Sequence, residues 1–188
     1  MNLFRIIESV KNTPRLGWVQ RGISASDAET IAAHTLESAI VCLDLGEHLL
    51  KEDFLSLEEI KNATLIALIH DIPEGVIGDL NRYVSRHIGD MKKKLEDLVM
   101  EEIQNDILKD LWKRYSDMRS REALLSKLCD KISTYVQATR YRRLGYRTDD
   151  IIDNARIEIR DLGIKLCKEN SRCIDSIERY ISTIEAQI

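Results

Sequence analysis

Residues 66–79 read IALIHDIPEGVIGD. An apolar run, Leu65 to Ile69, suits a buried helix, and it stops at the adjacent pair His70–Asp71. Pro73, Glu74, Gly75, Gly78 and Asp79 follow at once, so the helix opens onto a turn crowded with groups that bind metals or move protons. An imidazole and a carboxylate beside Ile66, Ala67 and Ile69 are costly to bury unpartnered, and a divalent cation satisfies both.

Working outward, Ser56 followed by Glu59 is a capping box, which starts this helix at Leu57. Upstream, residues 3–10 carry apolar groups at Leu3, Ile6, Ile7 and Val10, a helical stripe. The segment NTPRLGWVQRGISAS breaks the pattern and reads as an ordered loop. Ser26 or Asp27 is placed to cap a helix that runs through His34 to about Leu50, with Gly46 a weak point inside it. Downstream, residues 71–88 read as loop and 90–109 as a charged helix that continues, or resumes after a short break, through 115. Glu122 to Arg143 is a long helix, and two more, roughly 149–168 and 171–187, close the chain. No alternating strand pattern occurs. The expectation is an all-α, single-domain helical bundle spanning residues 1–188.

Composition agrees. The chain has 188 residues, 32% charged and 44% hydrophobic, with only 8 Gly and 2 Pro. That is a helix-rich balance with enough length for one sizeable core. A net charge of −4 argues against a nucleic-acid partner. No apolar run approaches the roughly 20 residues that cross a bilayer, and the charged amino terminus is unlike a signal peptide. The expectation is a soluble cytoplasmic protein with no membrane partner. The four cysteines, Cys42, Cys129, Cys167 and Cys173, show no CxxC spacing and read as reduced thiols.

A metal site needs more ligands than His70 and Asp71. His34 sits inside the apolar helix TIAAHTLESAIV, and Asp130 lies at the centre of LLSKLCDKISTYV, flanked by a buried stripe of Leu124, Leu125, Leu128, Ile132 and Val136. A buried aspartate is expensive alone and is not when it holds a metal. In the Pro14–Gly22 loop, Arg15 and Arg21 suit a phosphate, while Trp18 either offers an apolar face to a sugar or base or belongs to the core. His48 and His87 read as surface residues, and Lys92–Lys94 as a solvated helix face.

These segments together carry a resemblance to the HD-domain metal-dependent phosphohydrolases. HDIPEGVIGD fits the form HDxxExxxGD, which resembles the 5′-deoxynucleotidase branch. TPRLGWVQRG, LWKRY at 111–115 and KLCDKISTYVQA resemble that branch's other segments, in the expected order over residues 1–145. The resemblance implies that His34, His70, Asp71 and Asp130 hold one divalent metal ion (Mn, Co or a similar transition metal). It implies catalytic roles for Glu74 and Asp79, and substrate contacts for Arg15, Trp18 and Arg21. It further implies a small-molecule nucleotide substrate, with removal of the 5′-phosphate from 2′-deoxyribonucleoside 5′-monophosphates, in a homodimer. Other readings are an HD hydrolase of another small nucleotide phosphoester and a nucleotide-binding HD module without turnover. One departure stands out: Ala33 precedes His34 where the family usually has an acid. Residues beyond about 145 are expected to serve packing or dimer contacts.

Overall fold

Apolar periodicity and well-capped ends produce eleven helical segments in the computed structural model, which describes residues 1–188. They are α1 (Leu3–Asn12), α2 (Leu16–Val19), α3 (Ile31–Lys51), α4 (Leu57–Ile69), α5 (Glu74–Ile77) and α6 (Arg82–Ile88). Then come α7 (Asp90–Glu102), α8 (Asp106–Asp117), α9 (Arg121–Arg143), α10 (Asp149–Cys167) and α11 (Ser171–Gln187). No strand forms, and one isolated bridge joins Pro14 to Thr30. The all-α expectation holds. So do the long helices, and Ser56 and Glu59 make their reciprocal capping box.

Short elements depart from the sequence reading. The 12–26 loop contains α2, and the 71–88 loop contains α5 and α6, because four to seven residues are too few to show a period. Thr30, not Ser26 or Asp27, caps α3, its hydroxyl accepting from the Ala33 amide. Ser24, Ser26 and Asp27 instead hydrogen-bond to one another in a turn. The reading of four reduced thiols is corrected: Cys167 and Cys173 form a disulfide, while Cys42 and Cys129 are free and buried. Lys168 and Glu169 both take positive φ at the end of α10, and this turn brings the two Cα atoms within 5.6 Å.

The core divides around α4. Ala63 and Ala67 face the larger cluster, built with α3, α9, α10 and α11, whereas Ile66 and Ile69 face a smaller one with Ile6, Val10, Leu111 and Trp112. Being apolar on both sides, α4 ends its last turn between the clusters, and His70 is delivered there. Gly46 is no weak point but the place where α3 and α4 meet. A Cβ there would lie 2.7 and 2.9 Å from the Ile60 Cγ atoms and 3.3 Å from its Cβ.

Gly46→Ala therefore tests the packing. Alanine gains about 1 kcal/mol in helix propensity, but the clash with a branched, buried Ile60 costs about 1–3 kcal/mol. The thermal midpoint is expected to fall by a few degrees, and an unchanged or higher midpoint would show that α3 and α4 have slack between them.

Candidate metal centre

Three long helices supply the centre. His34 comes from the second turn of α3, His70 caps the C-terminus of α4, and Asp130 lies midway along α9. All three are buried, with 0%, 3% and 4% exposure. His34 Nε2 is 3.0 Å from Asp130 Oδ1 and 3.9 Å from Asp71 Oδ2. His70 Nε2 is 3.2 Å from Asp71 Oδ2 and 4.0 Å from Asp130 Oδ1. Donors that each bind a metal at about 2.0–2.2 Å stand about 3–4 Å apart, so this spacing fits one divalent ion.

Ring orientation fits too. His70 Nδ1 donates to the Ala67 carbonyl at 2.7 Å, which leaves Nε2 as the lone-pair atom facing the cluster. Burial, then the Arg15 charge, lowers the His34 pKa and keeps that ring neutral. Against the penalty of burial, Lys127, Lys131 and the His34 contact hold Asp130 well below the usual carboxylate range. Burial likewise opposes ionisation of Asp71, but His70 and His34 hold it far down. His34, His70 and Asp130 bring donor atoms within 4.8 Å of one another, and Asp71 stands beside both imidazoles, a suitable donor set for a transition-metal dication.

Beside the cluster opens a cavity of about 450 Å³, within the range of small-molecule sites. Arg15, Lys92 and Lys127 bring positive charge to its wall, and Asp71, Glu74 and Asp130 negative charge. Glu74 arrives on α5, which lies against α1 at Gly75; a Cβ there would stand 2.8 Å from the Ile6 carbonyl oxygen. Glu74 is 5% exposed and accepts from Lys92 Nζ at 2.9 Å. Burial, with help from Asp71 and against the pull of Lys92, pushes its carboxyl up to about 8. A carboxyl with that value donates a proton near neutrality.

The remaining sequence candidates fall around the same cavity in different states. Arg15 Nη1 lies 3.2 Å from Glu29 Oε2 and 3.1 Å from His34 Nδ1, directly beside the metal cluster. Trp18 is core, 2% exposed, packed on Tyr141 and donating from Nε1 to Glu29 at 2.9 Å, and it also borders the cavity. Arg21 lines the outer wall, ion-paired with Asp150. Asp79 accepts the Leu16 amide, fastening the first turn of α2 to the loop after α5.

Several residues escaped the sequence reading. Lys92 is no solvated lysine: it bridges Glu74 and Glu96, the latter at 3.3 Å. Lys127 sits between Asp130 Oδ2 and the Tyr115 hydroxyl, each 2.8 Å away. Its place three residues before Asp130 on one helix face was the available signal. Glu29 anchors both Arg15 and Trp18. The C-terminal region does more than pack, because Asp150, Asn154 and Glu158 of α10 form a wall of the cavity. Of the two other histidines, His87 is exposed and His48 only half-buried.

With the geometry established, comparison places the chain. The HD-domain family profile matches residues 7–161, and the chain belongs to the HD-domain family. It is 30% identical over 161 residues to the 5′-deoxynucleotidase HDDC2 of Dictyostelium discoideum, covering 81% of this chain and 82% of that one. The human protein of the same name is 24% identical, covering 81% and 73%. A solved structure from Pyrococcus horikoshii superposes with a TM-score of 0.78 at 28% identity, covering 94% of this chain and 97% of that one. Another from Pyrococcus furiosus gives 0.78 at 26%, covering 94% and 98%.

Glu74 yields a pH test on the metal-free protein. A carboxyl whose pKa rises from 4.5 to about 8 on folding takes up a proton, so the folded state loses stability as pH climbs through that window. Glu74→Gln should therefore raise the thermal midpoint relative to wild type by an amount that grows from pH 4.5 to 8. A difference independent of pH would sink this account of the residue.

Proposed function

We propose that the protein is a metal-dependent phosphohydrolase that removes the 5′-phosphate from 2′-deoxyribonucleoside 5′-monophosphates. The observation that carries the reading is the close grouping of His34, His70 and Asp130, with Asp71 beside both imidazoles, next to a charged cavity of nucleotide size. Kinship with curated 5′-deoxynucleotidases supplies the substrate class.

In this reading the four ligands hold one Mn²⁺ or Co²⁺, matched by their mix of imidazole and carboxylate. The bound ion supplies Lewis acidity and lowers the pKa of a water. Arg15 and Lys127 would then meet a phosphate dianion. A water would attack phosphorus as the bond to the 5′-oxygen breaks, Glu74 giving its proton to the departing alkoxide while the water's protons leave with the released phosphate. Lys92 holds the Glu74 carboxylate that remains. Asp79, one oxygen engaged by Leu16, offers the other to a sugar hydroxyl, and Arg21 with Trp18 borders the nucleoside. The same reading sets the enzyme in the cytoplasm, where the Cys167–Cys173 disulfide is an uncommon feature.

A panel of deoxynucleoside and ribonucleoside 5′-monophosphates, assayed for phosphate release with Mn²⁺, Co²⁺ or EDTA, tests the chemistry. Expected are metal-dependent release favouring the deoxy series, its loss in Asp130→Ala, and a fall of roughly 10²- to 10⁴-fold in kcat for Glu74→Gln. Metal binding with no release from any of these compounds would instead support a module that binds a nucleotide without turnover.

The reading includes a homodimer. Leu36, Ile40 and Leu43 form an exposed stripe on α3, and Leu57, Leu65 and Leu68 another on the adjoining α4, each residue 41–57% exposed. A second copy of the chain would cover them. Sedimentation should give a dimer for wild type and a monomer for Ile40→Lys; a monomeric wild type would end the idea.

A further inference from the structure

His34 has two competing neighbours on the ring nitrogen that faces away from the cluster. Arg15 Nη1 lies 3.1 Å from Nδ1, and Ser133 Oγ lies 3.2 Å from it. A guanidinium only donates, so its contact requires a bare Nδ1 and, on a neutral ring, a proton on Nε2. Such a proton would point at Asp130 Oδ1, 3.0 Å away, and occupy the lone pair that a metal needs. The opposite tautomer requires an acceptor at Nδ1.

We propose that Glu37, acting through Ser133, holds the proton of His34 on Nδ1 and so keeps Nε2 available as a metal ligand. Ser133 Oγ donates to Glu37 Oε2 at 3.0 Å, because a carboxylate only accepts, and its lone pairs are then free to receive Nδ1–H. Arg140 Nη1 donates to the other carboxylate oxygen, Oε1, at 2.6 Å and fixes the group in place. Helix geometry builds the arrangement. Glu37 follows His34 by three residues on α3, and Ser133 follows Asp130 by three on α9, so the pair faces across the same helix interface one turn further along. Ser133 is wholly buried, with no solvent to take its part. An acid reaching His34 through a hydroxyl also answers the departure at Ala33: the charge is supplied from the following turn of α3. Glu37 and Ser133 are thus positioning residues that compete with Arg15 for Nδ1 already in the metal-free protein.

The proposal rests on His34 being a ligand, and the test separates the two. Mn²⁺ affinity of the full chain is measured by calorimetry for wild type, His34→Ala, Ser133→Ala and Glu37→Gln. Long-range ¹⁵N–¹H spectra of the metal-free proteins report the His34 tautomer. Glu37→Gln reverses the relay. Arg140 must face the amide oxygen, the amide NH2 then donates to Ser133, and Ser133 turns its own proton toward Nδ1. Expected are loss of binding in His34→Ala and affinity weaker by roughly 10- to 100-fold in Ser133→Ala and Glu37→Gln. Both relay variants should also shift His34 toward Nε2–H, with metal-free melting close to wild type. If His34→Ala loses the metal while both relay variants bind it as wild type does, with the tautomer unmoved, the relay is overturned. If His34→Ala itself binds normally, the ligand assignment fails first.

Discussion

Asp130 is a carboxylate buried at the middle of a 23-residue helix, and the architecture of the site follows from keeping it charged there. An isolated carboxylate in that position would be neutralised or would unfold the helix. Instead each partner of Asp130 recruits one of its own. Lys127 reaches Tyr115 on α8, Lys131 reaches Glu158 on α10 at 3.2 Å, and His34 meets Arg15 and Ser133. A single enclosed charge thereby ties four helices and the loop before α2 into one polar web. Satisfied in full, such a web fixes geometry more than it adds stability.

The web is precise because the helices that carry it approach closely. Gly46 lets α4 lie on α3, and Gly75 lets α5 lie on the backbone of α1. Ligands set on interior turns of packed helices share the rigidity of the core. The side that carries Arg15 is built differently. Arg15 stands in a connecting segment, held by the Pro14–Thr30 bridge and by Glu29, which also receives Trp18. Arg15 is thus held by a loop and one ion pair, whereas His34, His70 and Asp130 are held by packed helices.

Charge distribution explains how a mildly acidic protein can receive an anion. Around the cavity, lysines and arginines are each matched to a carboxylate: Lys92 to Glu74, Arg21 to Asp150, Arg82 to Glu158 and Lys131 to Asp130. A phosphate entering such a site exchanges partners with existing ion pairs and does not meet bare cations, which favours a small dianion over a polyanion. The α10 acids on the outer wall strengthen that selection.

The helix pattern was legible in the sequence because α3, α4, α9, α10 and α11 are long enough for apolar periodicity and caps to declare them. His70–Asp71 was legible because two polar groups end an apolar run, and Asp130 because it interrupts one. The short α2, α5 and α6 carry no period, and the Cys167–Cys173 bond depends on a turn built from Lys168 and Glu169, residues that rarely adopt positive φ. Residue types and their order marked the candidate ligands, since imidazoles and carboxylates set in apolar runs are costly to bury without a partner. Tertiary structure alone decided what surrounds those ligands: Lys127 and Glu37 turned inward, Trp18 buried on Tyr141, and α10 closing the cavity. Those roles come from contacts between helices distant in sequence, and distance through space has no counterpart in spacing along the chain.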